Sequence, residues 1–128
     1  MRREGRGIRV SLEHEGCSFS RMVSVQAGAV VTVEDQEAAG QAFRVRWYLA
    51  PECEVRIGDP EGTWSVVTVE REGKAWKARF RSLATPVARV RLDSATVSRY
   101  FGQTESCQVI EVISHGSLTT EWHRLTSS

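Results

Sequence analysis

The residues of this chain with chemistry to offer are three histidines, three cysteines and a set of arginines and lysines spaced two apart. His14, His115 and His123 are scattered. None stands in a metal or nucleophile pattern such as HExxH or GxSxG, where fixed spacing brings the reacting groups together. His14 and Cys17 form a lone HxxC, too few ligands for a zinc site, and a turn residue beside a core thiol is the simpler reading. His115, just ahead of Gly116 and Ser117, reads as a solvated turn residue. Cys17, Cys53 and Cys107 are odd in number and match no zinc or redox spacing, so they read as reduced core thiols, with a disulfide between two of them left open. No pattern selects one serine for a Ser/His/Asp arrangement. The expectation is therefore no catalytic residue, no metal and no cofactor.

The basic residues offer a different chemistry. Arg44 and Arg46, Lys77, Arg79 and Arg81, and Arg89 and Arg91 alternate along the chain with other residues, which places each group on one face of a strand. Guanidinium groups in such a row suit the carboxylates or sulfates of an acidic glycan. The competing reading is a solvated sheet face, its charges paired with Glu52, Glu54, Glu70 and Glu72 on neighbouring strands. Trp47, Trp64, Trp76 and Trp122 could stack on sugar rings. Trp47, Trp64 and Trp76 share strand faces with apolar residues and are expected in the core. Trp122, between Glu121 and His123, is the one expected at the surface.

The elements that would position these groups are strands. Sixteen valines and nine threonines stand against six leucines, and side chains branched at Cβ suit a pleated surface better than a helix. Phe43, Val45, Trp47 and Leu49 share one face, with Arg44, Arg46 and Tyr48 on the other. Trp76, Ala78 and Phe80 alternate with Lys77, Arg79 and Arg81, and Ile8, Val10 and Leu12 with Arg9, Ser11 and Glu13. Turn signals recur at Gly16, Gly28, Glu37 to Gly40, Pro51, Gly58 to Gly62, Glu72 to Lys74, Thr85-Pro86, Gly102 to Ser106 and His115 to Ser117. Glu72-Gly73-Lys74 is read as a hairpin tip joining Trp64–Arg71 to Lys74–Arg81. No apolar stripe of helical period persists, the nearest candidate being the short polar stretch Glu34 to Gly40. These signs predict an all-β fold, an antiparallel sandwich of about ten strands with almost no helix, in one domain over residues 1–128 with frayed ends at 1–6 and 126–128.

Composition narrows the partners. Lys and Arg total 17 against 16 Asp and Glu, a net charge of +1, which lacks the basic excess that marks nucleic-acid or anionic-membrane binding. No apolar run approaches the roughly 20 residues of a membrane span, and MRREGRGIRV lacks the apolar core of a signal peptide. Location is left open, periplasmic or cytoplasmic for a longer parent.

Three stretches carry a resemblance. Arg21 to Pro51, RMVSVQAGAVVTVEDQEAAGQAFRVRWYLAP, resembles the C-terminal β-domain of heparinase II/III-like polysaccharide lyases. In that domain an HxR-type segment leads through a valine-rich strand ending in Asp to a strand reading roughly RWHLAP. Ala95 to Ile113, ATVSRYFGQTESCQVIEVI, is similar to that domain's closing turn and strand, and Gly58 to Phe80 to its G-x-x-W strand. The resemblance implies a parent that cleaves acidic glycans by β-elimination. Its Tyr, His and Asn would sit mainly on a preceding helical toroid, with this domain bracing the toroid and walling the glycan cleft. The residues expected to make weak glycan contacts are Arg21, Arg44, Arg46, Tyr48 and Tyr100. Asp35 and Arg21 match the family's zinc-holding segment, but Phe19 and Tyr48 stand where histidines are expected. Asp35 is a remnant only, since one carboxylate makes no zinc site. A free-standing glycan-binding module and a structural or protein-interaction sandwich are the alternative readings.

Overall fold

Valine-rich alternation becomes strand along nearly the whole chain in the computed structural model, which describes residues 2–4, 7–14, 17–26, 30–82, 89–100 and 102–125. Among these there is no helix. The strands are β1 Arg2–Glu4, β2 Gly7–His14, β3 Cys17–Gln26, β4 Val30–Glu37, β5 Ala42–Tyr48, β6 Glu54–Ile57, β7 Ser65–Arg71, β8 Lys74–Arg81, β9 Arg89–Tyr100, β10 Gln103–His115 and β11 Ser117–Leu125. They form two antiparallel sheets. The larger runs β1-β2-β3-β4-β11-β8-β7-β6 and the smaller β5-β10-β9.

Nine strands, β3 to β11, supply six strands of the larger sheet and all three of the smaller, and the β1–β2 hairpin continues the larger sheet past β3. The count of nine differs from the roughly ten expected because turn signals fix the spacing of strands only approximately. Arg2–Glu4 pairs with Gly7–Arg9. Met1, residues 5–6 and 126–128, and the turn signals at Gly16, Gly28 and Thr85-Pro86 lie outside the described residues.

The two sheets share one core. Val45 of β5 and Ile110 and Val112 of β10 meet Val67 and Val69 of β7, Ala78 and Phe80 of β8 and Leu118 of β11, all buried. Removing such side chains from water stabilises the fold by about 1.5–3 kcal/mol for each large one. Edge-to-face aromatic pairs cross the same gap. Phe19 of β3 meets Phe43 of β5 at 5.5 Å between ring centres, and Trp47 of β5 meets Trp122 of β11 at 5.6 Å.

Trp122, expected at the surface, is thus half-buried against the core, because its neighbours on β4 and β8 set its face inward. Trp64 departs in the other direction. Its ring lies under the guanidinium groups of Arg79 and Arg81, at 4.3 and 4.4 Å, on the outward face of the large sheet. Trp76 is half-buried but stands outside the core cluster.

The β7–β8 hairpin closes as its sequence requires. Glu72 and Gly73 both take left-handed backbone, φ 52° and 78°, the two-residue loop whose twist matches that of the flanking strands. The β4–β5 connection is organised by buried Glu37. Its carboxylate accepts from the backbone N–H of Ala39 at 3.1 Å and of Gln41 at 2.6 Å, while its own N–H donates to the carbonyl of Gly116 at 2.7 Å. The Glu37 side chain therefore closes the turn after β4, and its backbone N–H ties that turn to the one between β10 and β11. Cys53 and Cys107 are free, half-buried and buried respectively.

Candidate anion-binding face

β10 is the central strand of the small sheet, and its register with β5 and β9 lays out the sheet's outward face in rows. Ile113 stands between Arg44 and Arg89, Glu111 between Arg46 and Arg91, and Val109 between Tyr48 and Asp93. Strand alternation puts Arg44, Arg46 and Tyr48 on this side, opposite the core residue Val45. Three residues anticipated for glycan contact are therefore neighbours here.

Glu111 organises the face. Its side chain is 1% exposed, yet its carboxylate accepts from Arg46 Nε at 2.8 Å and lies 3.1 Å from Arg91 Nη2 and 3.6 Å from Arg44 Nε. A buried carboxylate needs such partners, since an unpaired buried charge is strongly unfavourable. The arginines stay open to solvent, Arg44 at 55% and Arg91 at 61%. Arg91 also reaches Asp93 at 3.7 Å. Interaction with the Tyr48 hydroxyl, and then with Glu111, raises the Arg46 guanidinium's pKa, so its charge is constant at any working pH. Four arginines against two carboxylates leave this face with a surplus of positive charge.

The second basic row is neutralised more completely. On the outward face of the large sheet Glu61 accepts from Lys77 at 3.0 Å and from Arg79 at 3.3 Å, and Glu121 accepts from Arg79 at 2.6 Å. His123 Nε2 lies 3.1 Å from the same Glu121 oxygen. The contact with Lys77, and next that with Arg79, lowers the pKa of the Glu61 carboxyl. Burial pushes Glu121 upward, but Arg79 and His123 outweigh it and the net shift is downward. The ion pairs of both faces thus involve Glu111, Glu61 and Glu121 rather than the expected Glu52, Glu54, Glu70 and Glu72. Glu54 and Glu70 in fact stand opposite each other on β6 and β7.

Arg21 lies apart from the arginine face. On β3 it stands opposite Asp35 of β4, donating from Nε to Oδ1 at 2.6 Å and from Nη2 to Oδ2 at 3.2 Å, with its guanidinium 5.5 Å from the Trp47 ring centre. Both Asp35 oxygens are engaged, and burial raises its pKa against the pull of Arg21. Tyr100 ends β9 opposite Gln103, its side chain outside the described residues, as are those of His14 and Cys17. His115 is exposed at the end of β10. Among the described residues no group of three or more His, Cys, Asp or Glu is placed to hold a metal ion.

Comparison with known proteins adds no relative to this geometry. No family model, curated protein or solved structure matches the chain. The site therefore rests on its own chemistry.

Glu111, which organises the arginines of this face, is the residue that sequence reasoning missed. Its signal was present, because CQVIEVI sets a single carboxylate inside an apolar strand, and such a charge must recruit cations from both neighbouring strands.

Proposed function

We propose that this chain is a sandwich-type β module that binds acidic polysaccharide through the outward face of β5-β10-β9 and performs no catalysis by itself. The observation that carries the reading is Glu111, buried at 1% exposure and surrounded by three arginines that keep solvent-facing edges. A carboxylate held beneath guanidinium groups fixes their spacing before a ligand arrives, which lowers the ordering entropy a glycan would otherwise cost. Exposed guanidinium edges match sulfate and carboxylate oxygens with paired hydrogen bonds. Tyr48, more than half exposed beside Arg46, offers a ring face to a sugar.

The resemblance to the heparinase II/III-like C-terminal domain gives this reading its context, a parent lyase whose helical toroid carries the β-elimination. Support for that context is local. Arg21 and Asp35, the two residues matched to the family's zinc-holding segment, face each other across β3 and β4.

The test is calorimetric titration with heparin oligosaccharide at low salt. Wild type is expected to bind, with affinity falling steeply as salt is raised. The Arg44→Ala/Arg46→Ala double variant is expected to lose about tenfold or more, the worth of one to two charge-assisted hydrogen bonds. Absence of binding by wild type, or equal binding by the double variant, overturns the reading.

A further inference from the structure

A cleft of about 490 Å³ lies elsewhere on the molecule, against four strands of the large sheet. Val31 of β4, Trp122 of β11, Trp76 of β8 and Val69 of β7 form its floor, and the segment leaving β5, from Leu49 to Cys53, forms its wall. This volume is within the range of small-molecule sites. Arg71 and Arg124 line the same cleft. Neither makes an ion pair among the described residues. Arg71 Nε and the Trp122 indole Nε1 are buried without a hydrogen-bond partner.

The described lining is thus apolar surface and hydrogen-bond donors, with no side-chain acceptor beyond the weak Cys53 thiol. That combination selects a ligand. A sugar would bring many hydroxyl donors to a lining with almost no side-chain acceptors and apolar surface its hydroxyls cannot use. A carboxylate brings only acceptors, and an alkyl chain behind it covers Val31, Leu49, Val69 and the two indoles.

We infer that this cleft binds an alkyl carboxylate, with the chain between the tryptophans and the head group on Arg71 and Arg124. The site is separate from the arginine face around Glu111 and stands or falls independently of the polysaccharide reading.

Titration with decanoate, followed by tryptophan fluorescence and by the Trp122 indole N–H resonance, tests the inference. Decanoate is expected to saturate and to move the Trp122 resonance, and decanol to bind about tenfold more weakly for want of a charged head. Arg71→Met/Arg124→Met is expected to remove that preference while leaving decanol binding as it was. Ala50→Trp, at an exposed position on the rim, is expected to abolish decanoate binding in a protein of unchanged circular dichroism. Heparin oligosaccharide is expected not to compete with decanoate, which separates the two sites. Equal affinity for decanoate and decanol, or no saturation at millimolar decanoate, overturns the inference. So does a dimer that Ala50→Trp disrupts in the absence of decanoate binding, since the occupant is then a second copy of the chain.

Discussion

Cutting the Arg21–Asp35 pair from its two ends should have unequal effects, because the partners differ in burial. Asp35 is 0% exposed and Arg21 is 36% exposed. Arg21→Met leaves a carboxylate with no water and no cation, and breaking a buried pair in that way costs about 3–5 kcal/mol. A Coulomb attraction of roughly 4 kcal/mol at about 4 Å and an effective dielectric constant near 20 is of the same size. Asp35→Asn leaves Arg21 able to hydrate and still offers it one oxygen, so the remaining cost is an unmatched buried amide, about 1–2 kcal/mol.

Urea unfolding at pH 7 resolves the two. With a slope of about 2 kcal/mol per molar, their midpoints should differ by roughly 1 M. The pH dependence supplies a second readout. Burial raises the Asp35 pKa above its ordinary 3.8, with Arg21 pulling the other way. A carboxyl with a raised folded pKa contributes stability that is fully present below its unfolded value and is lost as pH rises through the folded one. Removing Arg21 removes the opposing pull, so Arg21→Met should recover stability on acidification and Asp35→Asn should flatten the dependence. Equal losses for the two variants, or a milder loss for Arg21→Met, would refute the assignment of the cost to the buried carboxylate.

Two shorter predictions concern other elements. Gly73→Ala places a Cβ at φ 78° where no atom lies within 4 Å, so the cost is backbone strain alone, about 1 kcal/mol in thermal unfolding. Glu121 has its pKa lowered overall, burial pushing up but Arg79 and His123 prevailing, so its contribution is present above the ordinary 4.5 and is lost as pH falls through the depressed value. Glu121→Gln should remove that part of the acid dependence, which denaturation series below pH 5 will show.

What could be read from the sequence was local. Alternation from Phe43 to Leu49 gave the faces of β5, and Glu72-Gly73 gave the β7–β8 hairpin, because side-chain period and turn backbone are set by residues next to one another. What could not be read depended on strand order. β10 lies between β5 and β9, and β11 between β4 and β8, so the partners of Arg46 and Arg79 come from residues 65 and 42 positions away. No local pattern specifies those neighbours, and so the carboxylates sought near Arg44, Lys77 and Arg89 were the wrong ones. Trp122 was misplaced for the same reason. Its polar neighbours in sequence suggested exposure, and the strands on either side of β11 decided otherwise.

The position of β11 also sets an order of events. Among the described strands it comes last, yet it pairs with both β4 and β8, joining β1 to β4 on one side with β6 to β8 on the other. Until it arrives, each half of the large sheet holds an open edge of unpaired backbone groups, the template on which foreign strands add. Folding that waits for contacts so far apart in sequence is slow. During synthesis those two edges stay open until residues 117–125 emerge, so the large sheet carries an aggregation hazard through that interval.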